Sequence, residues 1–265
     1  MPRLFLDTSI QIQRILGPLA ASDAIDRRLA RNNVTAVTGH YVLMEYRRSL
    51  VADFAHVQRQ FVTARTLRDA LAWIVSGRRA FRPRSLARCI QVAALALGEQ
   101  PVVSLTLARD ILDIYLRLTL LDRFHHRVSL VPDSISCDLA AASVNRQPDG
   151  AYTVADSCRK DVATCRLPDF LAERQPQLRA IAEHLAAHPD TIKDQPRVER
   201  LLAAVVADPR AALGQAACWP LGDVIIALQV PPGALLWTLD RRDFAALSVP
   251  LGLELYEPAV SSPVG

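Results

Sequence analysis

The chain opens with Arg3-Leu4-Phe5-Leu6-Asp7-Thr8-Ser9, a short apolar run that ends at an acid and two hydroxyl residues. This length and composition are typical of a buried β-strand, and Asp7 marks its end. Thr8 and Ser9 then begin a helix over residues 10–16, which stops at Gly17-Pro18. The opening therefore predicts a strand followed at once by a helix, with an acid at the junction.

The following residues repeat this alternation. Ser22 and Asp23 are suited to cap a second helix that runs to about Arg31. Residues 34–38 are rich in β-branched side chains and predict a second strand, and Thr38 is suited to cap the next helix. Strand, helix, helix, strand and helix in this order favour an α/β fold built on a parallel sheet.

A similar alternation of helices and strands returns near the end of the chain. Pro220 suits the first turn of a helix that carries Asp223, and residues 234–239 predict a strand that ends at Asp240. A short helix around Phe244 and a last strand at residues 251–255 complete the pattern. Between the two α/β parts, residues 52–75, 86–97 and 104–124 favour helices, residues 128–131 a third strand, and residues 177–188 and 196–206 two further helices.

This pattern predicts one elaborated domain in several sequence segments. Residues 1–50 and 212–258 form the core, residues 51–131 its helical part with a basic surface, residues 132–211 an insertion, and residues 259–265 a tail. The insertion has Pro-rich joints and short apolar helix faces. Because two isolated helices cannot bury such faces, we expect the insertion to be docked on the core.

Composition excludes several classes of protein. Hydrophobic residues make up 51% of the 265 residues and charged residues 22%, as in a folded globular chain. No apolar run is long enough to cross a bilayer, and polar residues interrupt the N-terminal apolar segment where a signal peptide would be continuous. These features predict a soluble, cytoplasmic protein with no membrane partner.

Positive charge is concentrated in the middle of the chain. Residues 27–127 contain 17 arginines and 7 acidic residues, whereas the whole chain has a net charge of only +4. Arg78, Arg79, Arg82 and Arg84 surround Phe81, a combination that suits phosphate contacts and base stacking on single-stranded nucleic acid. The alternative for this run is a solvated loop. Arg241 and Arg242 directly follow Asp240 and are better placed to contact a strand there.

Four acids fall at equivalent positions of the predicted elements. Asp7 and Asp240 follow buried strands, while Glu45 and Asp223 lie near the starts of helices. The carboxyl ends of parallel strands meet at one edge, so all four can converge there. Such carboxylates repel one another unless cations hold them, and hard oxygen ligands select Mg²⁺ or Mn²⁺. Taken singly, each acid could instead be a helix cap, a dipole partner or a solvated side chain.

Four stretches resemble, in order, the motifs of PIN-domain (PilT N-terminus-like) metal-dependent nucleases. These stretches are Leu4-Phe-Leu-Asp7-Thr-Ser9, Tyr41-Val-Leu-Met-Glu45, Gly222-Asp223-Val-Ile-Ile-Ala227 and Trp237-Thr-Leu-Asp240-Arg-Arg-Asp-Phe244. The resemblance implies a three-layer α/β/α sandwich with a mainly parallel sheet. It also implies an endoribonuclease, toxin-like in some members, in which Asp7, Glu45, Asp223 and Asp240 are the catalytic metal ligands. Thr8, Ser9, Thr238 and Asp243 are the expected supporting residues.

The resemblance leaves several matters open. The region between Arg48 and Gly214 is much longer than in toxin members, so the RNA target, an antitoxin-like partner and a homo-oligomer are not determined. A catalytically silent PIN-fold protein that binds nucleic acid or acts as a scaffold is the leading alternative. A metal-dependent phosphatase is a third interpretation, which the Arg-rich middle disfavours.

The late cysteines form a separate group. Cys137, Cys158, Cys165 and Cys218 could bind a structural Zn²⁺ that ties the insertion to the core. No C-x-x-C pair is present, and the alternative is a set of buried thiols that bind no metal.

Overall fold

The computed structural model describes residues 3–31, 33–76, 83–98, 104–132, 135, 137, 144–155, 158 and 165–258. Its centre is a five-stranded sheet in which neighbouring strands all pair in parallel. The strands are β1 (Arg3–Leu6), β2 (Thr35–Thr38), β3 (Val128–Leu130), β6 (Ala234–Trp237) and β7 (Glu254–Leu255). A separate antiparallel pair consists of β4 (Asn145–Arg146) and β5 (Tyr152–Thr153). The prediction of an α/β fold on a parallel sheet is confirmed.

Helices make up most of the remaining described chain. They are α1 (Thr8–Leu16), α2 (Leu19–Leu29), α3 (His40–Tyr46), α4 (Ala52–Thr63), α5 (Leu67–Ser76), α6 (Pro83–Leu97), α7 (Leu105–Ile114), α8 (Leu120–His125), α9 (Leu167–Ala172), α10 (Gln175–Ala187), α11 (Gln195–Ala207), α12 (Gln215–Cys218), α13 (Gly222–Gln229) and α14 (Arg241–Leu251). Two π-helical turns, Arg47–Val51 and Tyr115–Thr119, join α3 to α4 and α7 to α8, and a 3₁₀ turn spans Pro209–Ala212.

The strand order places a topological switch at the middle of the sheet. The order is β3-β2-β1-β6-β7, so the chain moves outward from β1 through β2 to β3 and later outward on the other side from β6 to β7. Phe5 of β1 is in register with Leu236 of β6, and Leu6 with Trp237. In open parallel sheets, ligand crevices form at the carboxyl ends of the two strands where the direction of winding reverses. Here those strands are β1 and β6.

Both faces of the sheet are covered by apolar side chains. Phe5, Val37 and Leu236 belong to the large core, whereas Leu4 and Trp237 belong to a smaller cluster on the opposite side. Alternate residues of a strand point to opposite faces, which explains this division. A sheet buried on both faces accounts for the continuous apolar runs that the sequence places in its strands.

The five strands of the parallel sheet lie within their predicted ranges, but two predicted helix caps are wrong. The second helix begins at Leu19, and Ser22 lies inside it, where its hydroxyl donates to the carbonyl of Arg14. Thr38 does not cap α3, because its hydroxyl donates to the carbonyl of Leu6 across the sheet. Both hydroxyls therefore connect separate elements, and tertiary contacts have replaced the local bonds that the sequence suggests.

The outer elements differ more from the predictions. The helical stretch at residues 52–75 is two helices, α4 and α5, and the strand predicted at residues 234–239 ends at Trp237. The last strand is only Glu254–Leu255, because α14 continues to Leu251. Helices α9 and α12 and the β4–β5 pair were not predicted. They are six residues or fewer, too short for a periodic pattern to show.

The helices of residues 132–211 share the large apolar core. Leu178 and Ile181 of α10 and Leu202 of α11 are buried in the same cluster as Phe5 of β1. Helix α10 packs on α11 and also on α14, which follows the acid at the end of β6. Across the described ranges, no helix has the length and apolarity that a membrane span needs.

Candidate metal centre

Asp7 lies at the carboxyl end of β1 and has two structural roles. One carboxylate oxygen, Oδ1, accepts from the backbone N–H groups of Ser9 and Ile10 and so caps α1. The other, Oδ2, accepts from the hydroxyl of Thr238, which follows β6. Burial raises the pKa of Asp7 to about 6, although these hydrogen bonds oppose the rise. Asp7 therefore caps α1, as the alternative interpretation of this residue expects. It also belongs to the acids at the edge of the sheet.

Three further acids converge beside it. Asp223 lies in the first turn of α13, Asp240 at the N-cap position of α14, and Asp243 in the first turn of α14. One carboxylate oxygen from each of the three lies within 4.8 Å of those of the other two. Asp240 makes no side-chain capping bond to α14, so the structure does not support the alternative in which Asp240 serves as a cap.

The charges of this group act strongly on Asp223. Loss of hydration raises the pKa of its carboxyl to about 8, and the charges of Glu45, Asp7, Asp240 and Asp243 add to the rise. Like charges that share a site cannot all ionise freely. The five carboxylates therefore form one electrostatic group, which a bound cation would stabilise.

Glu45 approaches the group from α3. Its carboxylate accepts from the Thr8 hydroxyl at 2.8 Å and from the Arg48 guanidinium at 2.7 Å. Arg48 comes from the π-helical turn that follows α3, a distortion often found at functional sites. Its guanidinium also lies over the ring of Trp219, 4.2 Å from the ring centre. Glu45 is thus held in place by a hydroxyl and by an arginine that is itself anchored.

The predicted hydroxyl residues connect the two central strands. Thr238 accepts from the backbone N–H of Asp240 at 2.9 Å while it donates to Asp7. Ser9 accepts from the backbone N–H of Leu239, also at 2.9 Å. These bonds fix the loop after β6 against the start of α1. The supporting positions expected for Thr8, Ser9 and Thr238 thus all lie next to the carboxylates.

Asp243 has a larger part in the site than the sequence predicts, and the insertion makes a contact that the sequence does not predict. Asp243, expected only in support, is a member of the closest acid group, and its Oδ1 accepts from the backbone N–H of Lys193 at 3.1 Å. Lys193 lies in the turn between α10 and α11, so the insertion reaches the acidic group. The spacing of Asp240 and Asp243, three residues apart at a helix start, is the signal that could have indicated a shared face.

The arginines that were expected to contact nucleic acid differ in position and in exposure. Arg241 pairs with Glu257, and Arg242 donates to the carbonyl of Asp190 at 2.6 Å, so both have protein partners beside the acids. Arg84 is exposed near the start of α6. Arg78, Arg79 and Arg82 lie outside the described residues.

The four late cysteines come together at a place distinct from the acid group. Cys137, Cys158, Cys165 and Cys218 all line one small cavity next to Tyr41 and Trp219. A different cavity of about 420 Å³ lies at the amino end of β6 and is lined by Arg174 and Glu254 among others, but by none of the five acids. The acids, and not this cavity, lie at the carboxyl ends of β1 and β6, where a parallel sheet places its ligands.

Comparisons with protein-family models, with curated proteins and with solved structures find no match to the chain.

Proposed function

We propose that the chain is a metal-dependent endoribonuclease with a PIN-like, three-layer α/β/α core. The observation that carries the proposal is the convergence of Asp223, Asp240 and Asp243 at the switch point of the sheet, with Asp7 and Glu45 beside them. Ligand crevices form at this position in parallel α/β sheets. In chain order, the acids also come from the four sequence stretches that resemble PIN motifs.

The donor set fits Mg²⁺ or Mn²⁺. Asp7, Glu45, Asp223, Asp240 and Asp243 offer only carboxylate oxygens, which hard divalent cations prefer over softer metals. Arg48 forms an ion pair with Glu45, yet burial and, after it, the negative charges of the group still raise the pKa of Asp223. The group therefore keeps an excess of negative charge that a cation can neutralise. When bound, the metal supplies an activated water and stabilises charge on the leaving oxygen.

The protein residues have distinct parts in this proposal. Thr238 and Ser9 hold Asp7 and the loop before Asp240 in a fixed geometry, so the acids need little rearrangement to bind a cation. Asp223, whose pKa is about 8, retains a proton at neutral pH without a cation and loses it when a cation binds. Metal binding should therefore release protons.

RNA is the proposed substrate because of the charge distribution. The excess of arginine in residues 27–127 suits a phosphate backbone, which attracts Arg and Lys irrespective of sequence. Arg84 is exposed, and Arg241 is about half exposed one residue beyond Asp240. Arg241 can contact a phosphate next to a bond that lies at the acids, and Arg84 adds to the basic surface.

The test is divalent-dependent cleavage of a labelled single-stranded RNA by chelator-treated protein. We expect cleavage on addition of Mn²⁺ or Mg²⁺, and loss of cleavage and of calorimetric Mn²⁺ binding in Asp223→Asn and Asp240→Asn. Asp23→Asn changes an exposed carboxylate in α2 and serves as the matched control, with full activity expected. Loss of cleavage in the two site variants, with full activity in Asp23→Asn, would show that the effect comes from the acidic site and not from the change in net charge.

Two outcomes would contradict the proposal in different ways. Wild-type protein that binds Mn²⁺ and RNA but cleaves no RNA would indicate the silent binding or scaffold protein. Cleavage that continues unchanged in chelator, or in both site variants, would show that hydrolysis does not occur at these carboxylates.

A further inference from the structure

Four of the five cysteines meet at one place although they are far apart in sequence. Cys137 follows β3, Cys158 and Cys165 lie between β5 and α9, and Cys218 is the last residue of α12. All four line the same small cavity. The fifth, Cys89, is buried on α6 and does not line it. All five cysteines are in the described part of the chain, and no disulfide bond joins any of them there.

We propose that Cys137, Cys158, Cys165 and Cys218 bind one structural Zn²⁺ through their thiolates. Four thiolates are the donor set of closed tetrahedral zinc sites, and soft sulfur ligands select Zn²⁺ over the hard cations that suit the acids. The cavity volume of about 20 Å³ admits roughly one water-sized group. This size favours a single ion over a cluster of several irons.

One polar group in the wall of the cavity lacks a partner in the part of the chain that the structure describes. The buried Nε1 of Trp219, which also lines the cavity, has no hydrogen-bond partner among the described residues. A thiolate sulfur is an acceptor that would satisfy this donor.

The sulfurs are more widely spaced here than in a closed site. In a tetrahedral Zn²⁺ site with Zn–S bonds of about 2.3 Å, the sulfurs lie about 3.8 Å apart. Within the described ranges, only the acid group places three metal-ligating atoms within 4.8 Å of one another. Rotation of the cysteine side chains about χ1 would therefore accompany binding of the ion.

A zinc ion at this position would connect the insertion to the acidic site. The carbonyl of Cys218 accepts from the Tyr41 hydroxyl at 2.8 Å, and Tyr41 lies on α3, one turn before Glu45. Asp223 follows Cys218 by only five residues. The site would thus fix α12 and the start of α13 against α3, a positioning role that does not depend on the proposed nuclease activity.

The first measurement is the zinc content of the full chain, purified under reducing conditions and dialysed against a chelator. We expect about one zinc per chain. The double variants Cys137→Ser/Cys158→Ser and Cys165→Ser/Cys218→Ser should lose it, while Cys89→Ser, the matched control, should keep it. Asp223→Asn should also keep its zinc. This result would distinguish the cysteine site from the acids, whether or not the proposed nuclease activity is found.

Cobalt provides a second measurement that does not require a stable metal-free protein. Protein loaded with Co²⁺ should show the visible and sulfur-to-metal charge-transfer bands of a tetrahedral thiolate site. Cys158→His replaces one sulfur with another zinc ligand, so it should retain the metal with shifted bands. If Cys158 contributed only to packing, this substitution would not shift the cobalt bands.

Several results would overturn the zinc site. One is wild-type protein without zinc in which a thiol reagent titrates all five cysteines after unfolding. Another is protein without zinc and with fewer than five titratable thiols, which would indicate disulfides. Zinc that is lost in Asp223→Asn but kept in both double cysteine variants would assign the ion to the acids instead.

Discussion

The carboxylate of Glu45 lies against the backbone of Gly222. A Cβ atom added at Gly222 would be 2.8 Å from Glu45 Oε1 and 3.4 Å from the ring and hydroxyl of Tyr41. Only glycine therefore lets α3 bring its acid this close to the helix that carries Asp223. The close approach explains why a glycine precedes the acid in a helix, where it otherwise weakens the helix.

Gly222→Ala should displace Glu45 with little loss of stability. The atom in the way is the end of a flexible side chain, so it can rotate, and we expect a destabilisation of about 1 kcal/mol or less. Mn²⁺ affinity, measured by calorimetry, should fall because Glu45 leaves its position. In a double-mutant cycle, the change at Gly222 should have a much smaller effect on Mn²⁺ affinity in a Glu45→Ala background. Equal effects in both backgrounds would show that Glu45 is not involved.

Stability without metal should fall as pH rises from about 4 to about 8. The pKa of Asp223 is about 8 in the folded protein and about 4 in an unfolded chain, so folding takes up a proton between these values. Raising the pH removes that proton from the folded protein and so lowers the free energy of unfolding. Asp7, with a pKa of about 6, contributes to the decline over the lower part of the range. Urea unfolding in chelator should show this decline.

Asp223→Asn should remove most of that decline and stabilise the metal-free protein near neutral pH. The gain should be at most a few kcal/mol, since a shift of one pKa unit corresponds to about 1.4 kcal/mol and the side chain is only half-buried. Asp23→Asn should leave the pH profile unchanged. A wild-type stability that rises over the same range would mean that Asp223 ionises freely.

Thr238→Val should destabilise the protein by about 1–3 kcal/mol. It removes the donor to Asp7 and the acceptor for the N–H of Asp240, and so leaves buried groups unsatisfied. The pKa of Asp7 should rise further, because the Thr238 hydroxyl is one of the bonds that lower it. Thr238→Ser keeps the hydroxyl and should behave nearly like wild type in urea unfolding. A serine variant as unstable as the valine variant would point to packing of the methyl group instead.

The insertion should unfold together with the sheet. Leu202 is fully buried in the core shared with β1, whereas its neighbour Leu201 is only partly buried. Leu202→Ala should cost about 2–5 kcal/mol and Leu201→Ala clearly less, with a single transition in both. Limited proteolysis of the wild type should leave residues 132–211 attached. Rapid excision of that segment with an intact remainder would show an independent module.

RNA affinity should depend steeply on salt. If the Arg-rich run binds phosphates, changing Arg78, Arg79, Arg82 and Arg84 together to alanine should reduce the slope of log affinity against log salt. The reduction should be about 0.7 for each phosphate that the run neutralises in the wild type. Arg179→Ala/Arg200→Ala alters two exposed arginines on α10 and α11 and should keep the slope. An unchanged slope in the fourfold variant would assign the run to a solvated loop.

The strands of the sheet and the positions of the main acids could be predicted from local pattern. A run such as Leu4-Phe5-Leu6 has few ways to avoid water other than a buried strand, and the residue after it must lie at the sheet edge. The roles of Ser22 and Thr38, which do not cap helices, could not be predicted in this way. Their hydroxyls bond to backbone carbonyls of elements that are distant in the sequence or separate in the fold.

By itself, the sequence determined that the protein is α/β with a parallel sheet, and that Asp7 and Asp240 follow buried strands. Only the tertiary structure decided which side chains share a site, because distances across a sheet depend on strand order and helix packing. It brought Asp243 into the acid group, placed the Lys193 backbone on it, and set Gly222 against Glu45. It also gathered four cysteines without a local spacing signal, since their side chains meet only when segments up to 81 residues apart fold onto α3.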